Sequence, residues 1–296
     1  MERTDVQFSS GPDHCAGWLY WPATAISDQA IPCVVMANGL SLTRHDGLPY
    51  FAERFAEAGY AVLLFDYRYL GDSSGQPRQR IRISAQLEDW RNAIAFARAQ
   101  RGIDPDRLVL WGYSLTGGHV VATAAQDHRV AAAVVLFPLL NGLRRMLSMP
   151  LPTITKLIAP AIADQCGWHQ TVPVTGPAGA RAALTLPGEA EGIATIISAD
   201  SPWRNAVSPG FATTFAFYHQ TSRAHRITCP IWVGLGEHDI TVHGGSVERL
   251  ARRAPHGVLQ RYPCDHWEPF QGHTPELIIK DQLNFLAQAD LTPIPG

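Results

Sequence analysis

Short apolar runs and helix-spaced apolar positions take turns along most of the chain. Apolar runs of about four to eight residues are typical of strands, and apolar residues three or four places apart are typical of one face of a helix. The runs predict strands at 6–8, 16–21, 31–37, 60–65, 107–111 and 130–137. The helical spacing predicts helices at 48–58, at 84–100 with Ser84 as the cap, and from the turn at residue 114 to about 126.

This alternation stops after Pro138 and returns near the end of the chain. Residues 139–225 are interrupted by prolines and glycines, are poor in charge and show no regular strand–helix pattern. Further strands are predicted at 229–233 and 258–262, and further helices at 246–253 and 275–289. Strands alternating with helices indicate an α/β protein with a mostly parallel, doubly wound sheet, here of about eight strands. We therefore expect a core domain of 1–138 and 226–296, with a mainly helical cap insertion at 139–225 over the carboxyl ends of the strands.

Composition narrows the class of partner. The 296 residues carry a formal net charge of −2 and no cluster of lysine and arginine, so neither a nucleic-acid nor a membrane partner is expected. The opening residues do not resemble a secretory signal and no apolar stretch is long enough for a membrane span, so a cytoplasmic location is expected. The five cysteines are scattered and lack C-x-x-C spacing, which predicts buried free thiols. No metal or other cofactor is expected, because no metal-ligand motif occurs.

The turn around Ser114 is the first candidate for chemistry. The sequence Gly112-Tyr113-Ser114-Leu115-Thr116 nearly matches G-x-S-x-G, the strand-to-helix turn that exposes a nucleophilic serine, but Thr116 replaces the last glycine. Gly112 leaves room for a tight turn, and glycines at 117 and 118 allow the helix to lie close to the sheet. Two interpretations are open: Ser114 is a nucleophile, or it caps the helix that follows. The amide of Leu115, at the helix N-terminus, would face negative charge that develops during a reaction.

Candidates for an acid and a base follow two later strands. Asp239 ends one predicted strand, with Glu237 as the competing acid, and His266 lies in the loop after the next strand. Either residue alone would more often be a solvated loop side chain. A serine nucleophile needs a general base and a group that orients that base, and all three predicted loops lie at the same edge of the sheet. Ser114, Asp239 and His266 together therefore favour a catalytic triad, and Asp265 is not chosen because neighbouring side chains in a loop diverge.

Three longer segments carry a resemblance to a known superfamily. They read NGLSLTRHDGL at 38–48, FDYRYLGDSSG at 65–75 and DPDRLVLWGYSLTGGHV at 104–120. With the order of the triad candidates, they identify the chain as resembling the α/β-hydrolase superfamily, in a serine esterase or peptidase-like branch with a cap insertion. The resemblance implies the α/β-hydrolase fold and a small polar residue as a tolerated variant at Thr116.

The same resemblance assigns roles to several loop residues. It implies a second oxyanion-hole donor in the backbone N–H of Leu40, beside that of Leu115, although Asn38 stands where the family usually has histidine. Structural roles are expected for Asp66, Arg68 and Asp72. From their position alone, Arg44 and His45 lie at the same edge of the sheet and could meet a substrate, but a solvated loop is expected.

The predicted function is that of a carboxylesterase-like serine hydrolase. It would cleave an ester or lactone with an apolar or bulky acyl group through an acyl-enzyme, with a small-molecule substrate as the partner and a homodimer compatible with the sequence. Tyr113 and Trp267 are expected to contact the substrate, and Phe270 to help Trp267 exclude water. Open alternatives are a carbon–carbon bond hydrolase or cyclase acting on a diketone or polyketide, an amide or peptide hydrolase, and a non-catalytic ligand-binding protein of the same fold. A panel of esters, thioesters, anilides and β-diketones would separate the enzymes.

Overall fold

A single sheet organises the part of the chain that the computed structural model describes, residues 1–23 and 30–293. Its strands are β1 (Glu2–Ser10), β2 (Asp13–Trp21), β3 (Ile31–Ala37), β4 (Ala61–Phe65), β5 (Ile103–Tyr113), β6 (Ala132–Leu136), β7 (Ile231–Gly236) and β8 (Gly257–Tyr262). Their order across the sheet is β1-β2-β4-β3-β5-β6-β7-β8. β2 is antiparallel to both of its neighbours, and every pairing from β4 to β8 is parallel. The predicted α/β-hydrolase fold, with its mostly parallel sheet, is confirmed.

Helices connect the strands and cover both faces of the sheet. They are α1 (Leu48–Glu57), α2 (Ile83–Arg98), α3 (Leu115–Ala124), α4 (Gly142–Ser148), α5 (Leu151–Gln165), α6 (Glu189–Ile196), α7 (Phe211–Phe215), α8 (Gly244–Arg253) and α9 (Thr274–Gln288). Two 3₁₀ turns lie at Thr221–Arg226 and Glu268–Phe270. None of these helices is both long and apolar enough to cross a membrane; this holds for residues 1–23 and 30–293.

The sheet has an apolar layer on each face. Every residue of β3, β4, β6 and β7 is buried, as expected for parallel strands covered on both sides. Alternate residues of β3 enter different layers: Val35 belongs to the layer that includes Trp90 of α2, whereas Val34 belongs to the layer that includes Phe51 of α1 and Ile278 of α9. This two-residue period is why a continuous apolar run forms a strand here.

Two local predictions are wrong. Ser84 does not cap α2, because the helix begins one residue earlier and Arg82, in an extended conformation, is the capping residue. Cys166 is exposed rather than buried, since it follows the last turn of α5 at the surface, whereas the other four cysteines are buried thiols.

Residues 139–225 contribute α4 to α7 and the first 3₁₀ turn. In the described residues this segment adds no strand to the main sheet, and its extended pairings are isolated bridges such as Val172 with Val207. Its division from the core as a cap insertion stays a prediction. Its helices nevertheless line the cavity that opens on Ser114, as described below.

Candidate active site

Ser114 occupies a sharp turn between β5 and α3. Its backbone has φ +53° and ψ −122°, in the left-handed half of conformational space that residues other than glycine rarely adopt. The amide N–H of Ser114 donates to the carbonyl of Leu136 in β6 at 3.1 Å, which ties the turn to the neighbouring strand. The Ser114 side chain makes no capping hydrogen bond to α3, so the interpretation of this serine as a helix cap is wrong.

Glycines let α3 approach this turn closely. A Cβ atom at Gly112 would lie 2.6 Å from the carbonyl oxygen of Thr116, which is closer than real Cβ contacts. A Cβ atom at Gly118 would collide with the hydroxyl of Tyr218 and the carbonyl of Leu139. The standard motif has a glycine at position 116, where this chain has a threonine. Gly112 and Gly118, on either side of Ser114, nevertheless allow the helix to pack closely against the turn.

The three triad candidates form one hydrogen-bonded chain. Ser114 Oγ lies 3.0 Å from His266 Nε2, and His266 Nδ1 lies 2.6 Å from Asp239 Oδ2. The side chains of His266 and Asp239 are 2% and 0% exposed. Because a carboxylate only accepts, Nδ1 carries the imidazole proton and Nε2 is left free to accept the serine proton. The chain thus has the direction that serine activation requires.

Other hydrogen bonds single out Asp239 as the orienting acid. Its second oxygen, Oδ1, accepts from the backbone N–H groups of Thr241 at 2.8 Å and Val242 at 3.0 Å, which holds the carboxylate in place. Glu237 is exposed to solvent. Asp265 turns away, because its Oδ1 accepts from the N–H groups of the two residues that follow His266.

Aromatic side chains hold the imidazole of His266. The ring of Tyr113 lies 4.9 Å from it at an interplanar angle of 32°, and the ring of Trp267 lies 5.0 Å away, edge-on. The Tyr113 hydroxyl donates to the backbone carbonyl of His266 at 2.7 Å, and burial raises the pKa of this phenol. Tyr113 and Trp267 line the cavity beside Ser114, but Phe270 lies behind Tyr113 and does not. The expectation that Phe270 forms the wall of the site is therefore wrong.

The backbone amides of Leu40 and Leu115 belong to the two segments next to Ser114, the loop after β3 and the start of α3. In the hydrogen bonds of the described residues, neither amide has an acceptor. A Cβ atom at Gly39 would lie 3.2 Å from the Cβ of Ser114, so the loop that carries Leu40 packs directly on the serine. Both N–H groups are therefore candidate hydrogen-bond donors to a negatively charged oxygen formed next to Ser114.

Asn38 stabilises this loop from within. Its side-chain amide donates to the carbonyls of Thr43 at 2.9 Å and Asp46 at 2.6 Å, and its Oδ1 accepts from the N–H of Gly39 at 2.8 Å. The side chain that departs from the family pattern thus fixes the shape of the loop and faces away from the cavity.

The neighbouring charged residues have structural contacts. Asp66 is fully buried and accepts from both the backbone N–H and the guanidinium of Arg44 at 2.6 Å, and Arg68 binds buried Asp89 at 2.5 Å. Burial raises the pKa of Asp66, and the charge of Arg44 opposes that rise. Arg44 also pairs with Asp72 at 2.8 Å. Since Arg44 is only 5% exposed, its placement in a solvated loop is wrong.

A cavity of about 310 Å³ extends from Ser114 among the helices of residues 139–225. Most of its wall is aliphatic or aromatic. Representative lining side chains are Leu42, Met146, Met149, Leu157, Ala161, Leu184 and Phe211. At the outer end, Ile158 and Ile162 are both about half exposed, which marks an opening. The cavity can hold an apolar chain with one end at the serine.

A buried ion pair connects the helices around the cavity to the loop of Asp239. Arg145 of α4 donates to both carboxylate oxygens of Glu189 at 2.9 and 3.0 Å, and Thr241 donates to the same carboxylate at 3.0 Å. Both charged side chains are less than 5% exposed. The sequence prediction missed this pair. The signal that could have revealed it is that Arg145 and Glu189 are two of the few charged residues in the apolar segment 139–225.

Comparisons with known proteins show the family to which the chain belongs. The model of the family "Serine aminopeptidase, S33" matches residues 29–264, and so ends two residues before His266. The quorum-quenching protein AidA of Acinetobacter baumannii is 38% identical over 287 residues, covering 95% of this chain and 93% of its own. The thiohydrolase aneE of Aspergillus aculeatus is 39% identical over 119 residues, covering 40% of this chain and 37% of its own.

A solved structure shares the fold. The crystal structure of the alpha/beta hydrolase GrgF from Penicillium superposes with a TM-score of 0.81 at 23% identity, covering 98% of this chain and 99% of that one. Together with the family match and the full-length relative, this shows that the chain belongs to the serine aminopeptidase S33 family of the α/β-hydrolase superfamily.

Proposed function

We propose that this protein is a serine hydrolase that cleaves a carboxylic ester or lactone with an apolar acyl group. The observation that carries the proposal is the hydrogen-bonded chain Ser114–His266–Asp239, whose serine opens into an apolar cavity. Hydrolysis is the chemistry of the family to which the chain belongs. The finer assignment, to an ester or lactone, rests on two features. The cavity is apolar, and an activated serine can attack the carbonyl carbon of an ester and become acylated.

The reaction proceeds through an acyl-enzyme. Ser114 Oγ attacks the carbonyl carbon while His266 Nε2 takes the serine proton, and the N–H groups of Leu40 and Leu115 bind the oxyanion of the tetrahedral intermediate. The carbon–oxygen bond to the leaving group then breaks, and His266 returns the proton to the departing alkoxide. Water attacks the acyl-enzyme in the same way and releases the acid. Asp239 keeps His266 in the productive tautomer and stabilises its positive charge.

The cavity selects the acyl part of the substrate. Its walls offer almost no polar partner beyond the reacting groups, so a charged or hydroxylated acyl chain would lose water without gaining hydrogen bonds. A cavity of about 310 Å³ is at the small end of ligand sites, which favours a single medium-length chain. The relative named for quorum quenching is compatible with a small-molecule substrate of this kind.

A thioester is the second candidate substrate. The partly covered relatives include proteins named thiohydrolase and polyketide transferase, and both names imply movement of an acyl group. The same acyl-enzyme would form from a thioester, because only the leaving atom differs. Hydrolysis and transfer then diverge at deacylation, where water or another acceptor attacks.

Ser114→Ala tests the proposal. The wild-type protein is expected to react covalently with a fluorophosphonate probe at Ser114 and to hydrolyse p-nitrophenyl esters, with the highest kcat/KM at intermediate chain length. The Ser114→Ala variant should lose both properties, whereas Ser222→Ala, at an exposed serine, should keep them. Alkyl lactones, acyl thioesters, anilides and β-diketones, assayed in parallel, identify the preferred bond. Turnover that survives in Ser114→Ala contradicts the mechanism, and a wild-type protein inert to the probe indicates a ligand-binding protein.

A further inference from the structure

The hydroxyl of Thr116 reaches from the nucleophile turn to the loop on the other side of Ser114. Thr116 lies in the first turn of α3, and its side chain donates a hydrogen bond to the backbone carbonyl of Asn38. Asn38 precedes Gly39 and Leu40, so this bond joins the two segments that carry the candidate oxyanion donors. A glycine, the residue of the standard motif at this position, has no group that could make it.

The direction of the hydrogen bonds around Thr116 is determined by its neighbours. The indole of Trp90 can only donate, and it does so to the hydroxyl oxygen of Tyr67 at 2.7 Å. Tyr67 must therefore direct its own hydrogen elsewhere, and the oxygen of Thr116 lies 2.8 Å away. With its oxygen occupied as an acceptor, Thr116 points its hydrogen at the Asn38 carbonyl. All four residues are at most 2% exposed, so water does not compete for these bonds.

The Asn38 peptide is consequently held from two sides. The side chain of Asn38 binds the carbonyls of Thr43 and Asp46, and its main-chain oxygen binds Thr116. Because a peptide unit is planar, the orientation of the Asn38 carbonyl fixes the plane of the peptide between Asn38 and Gly39. The next peptide along the chain carries the N–H of Leu40.

We propose that Thr116 is a positioning residue whose hydroxyl aligns the Leu40 N–H with the oxyanion. It acts through Asn38 and does not touch the substrate, and Leu115, its neighbour in sequence, supplies the other donor. One residue thus sets the distance between the two halves of the oxyanion hole. The inference depends on the proposed function, because it requires that a tetrahedral intermediate forms at Ser114.

Three variants at this position separate the hydroxyl from the volume of the side chain. Thr116→Val keeps the shape but removes the hydrogen bond, Thr116→Gly restores the motif residue, and Thr116→Ser keeps the hydroxyl. Loss of a complete oxyanion donor lowers kcat by roughly 10²–10³-fold, so misalignment of one donor should lower it by at least about tenfold. We expect such a fall in the valine and glycine variants with KM within about twofold, and recovery to within about threefold of wild type in the serine variant.

Thr123→Val is the matched control. It makes the same chemical change on the same helix, at a buried threonine that makes no side-chain hydrogen bond to Asn38. Its kcat should stay within about twofold of wild type. The rate of phosphonylation by the fluorophosphonate probe provides a second measurement, because the probe places an oxygen in the same hole. This rate should fall with kcat in the valine and glycine variants.

The outcomes distinguish this inference from the proposed function. Thermal melting first identifies which variants are folded, and the glycine variant replaces the valine variant if the latter is not. A folded variant without the hydroxyl that retains wild-type kcat overturns the positioning role, as does a serine variant as slow as the valine variant. Activity in Ser114→Ala, or no reaction of the wild type with the probe, overturns the proposed function instead.

Discussion

His119 should make the protein lose stability in mild acid. This residue lies on α3, five places after Ser114, and is fully buried. Its Nε2 lies 2.9 Å from Gln86 Oε1, which can only accept, so Nε2 carries the proton and Nδ1 accepts from the hydroxyl of Tyr218 at 2.8 Å. Burial lowers the pKa of His119 from 6.5 to about 3, because a charged imidazole here would lose its hydration.

The sign and size of the effect follow from this difference. Below about pH 6.5 the unfolded chain binds a proton at this histidine, whereas the folded protein remains unprotonated down to about pH 3. Lowering the pH between these limits therefore favours unfolding, by about 1.4 kcal/mol per pH unit. Between pH 6.5 and pH 4.5 the loss from His119 alone should approach about 2.5 kcal/mol, a large part of the 5–15 kcal/mol that is typical of a whole domain.

The comparison of wild type with His119→Gln isolates this contribution. Glutamine can donate to Gln86 but does not titrate, so the free energy of unfolding of the variant should depend less on pH. The variant should also be less stable at pH 7, because the substitution replaces a buried imidazole. Urea unfolding at pH 7.0, 5.5 and 4.5 measures both slopes, with His128→Gln, at an exposed histidine, as the control. Equal slopes in wild type and His119→Gln would refute the reasoning, because some other group would then bind the proton on unfolding.

Three further predictions concern the site and the cavity. Asp239→Asn should lower kcat by about 10⁴-fold in steady-state ester hydrolysis, since the amide favours the wrong tautomer of the histidine; a loss under tenfold would contradict its role. Arg145→Met should lower the free energy of unfolding by about 3–5 kcal/mol in urea titrations, because it leaves Glu189 buried without its cation, and Glu189→Leu in the same chain should recover much of that loss. If it does not, the pair is not the cause. Ala161→Leu should narrow the cavity and lower kcat/KM for decanoyl esters, relative to acetyl esters, by at least about tenfold. Each methylene excluded from the cavity costs about 0.8 kcal/mol of binding free energy. An unchanged ratio would mean that the acyl chain of the substrate does not bind in this cavity.

The core fold could be predicted because its signals are local. The central strands of the parallel sheet are apolar along most of their length, and each predicted site loop directly follows a predicted strand. Parallel strands end at one edge, so Ser114, Asp239 and His266 could be expected near one another before any distance was known. The start of α2 was less predictable, because Arg82 caps it through backbone conformation and not through a side chain of the usual type.

The surroundings of the site depend on contacts between distant segments and were not predictable in this way. Arg145 and Glu189 are 44 positions apart, in a segment without a regular pattern, and only the folded chain shows that they pair. Arg44 was misplaced for the same reason, since its partner Asp66 lies on another loop. The Leu40 amide was inferred from a family resemblance, and no periodicity in the sequence would have identified it.

The backbone of Ser114 sets folding stability against activity in this protein. A residue with a side chain at φ +53° is strained by on the order of 1–3 kcal/mol, and glycine would occupy the same turn with less strain. Selection for folding stability alone would thus favour removal of the very side chain that points into the cavity. The fold therefore holds a strained residue at its centre, and the contacts around the turn, such as the hydrogen bond from the Ser114 N–H to Leu136, must offset that cost.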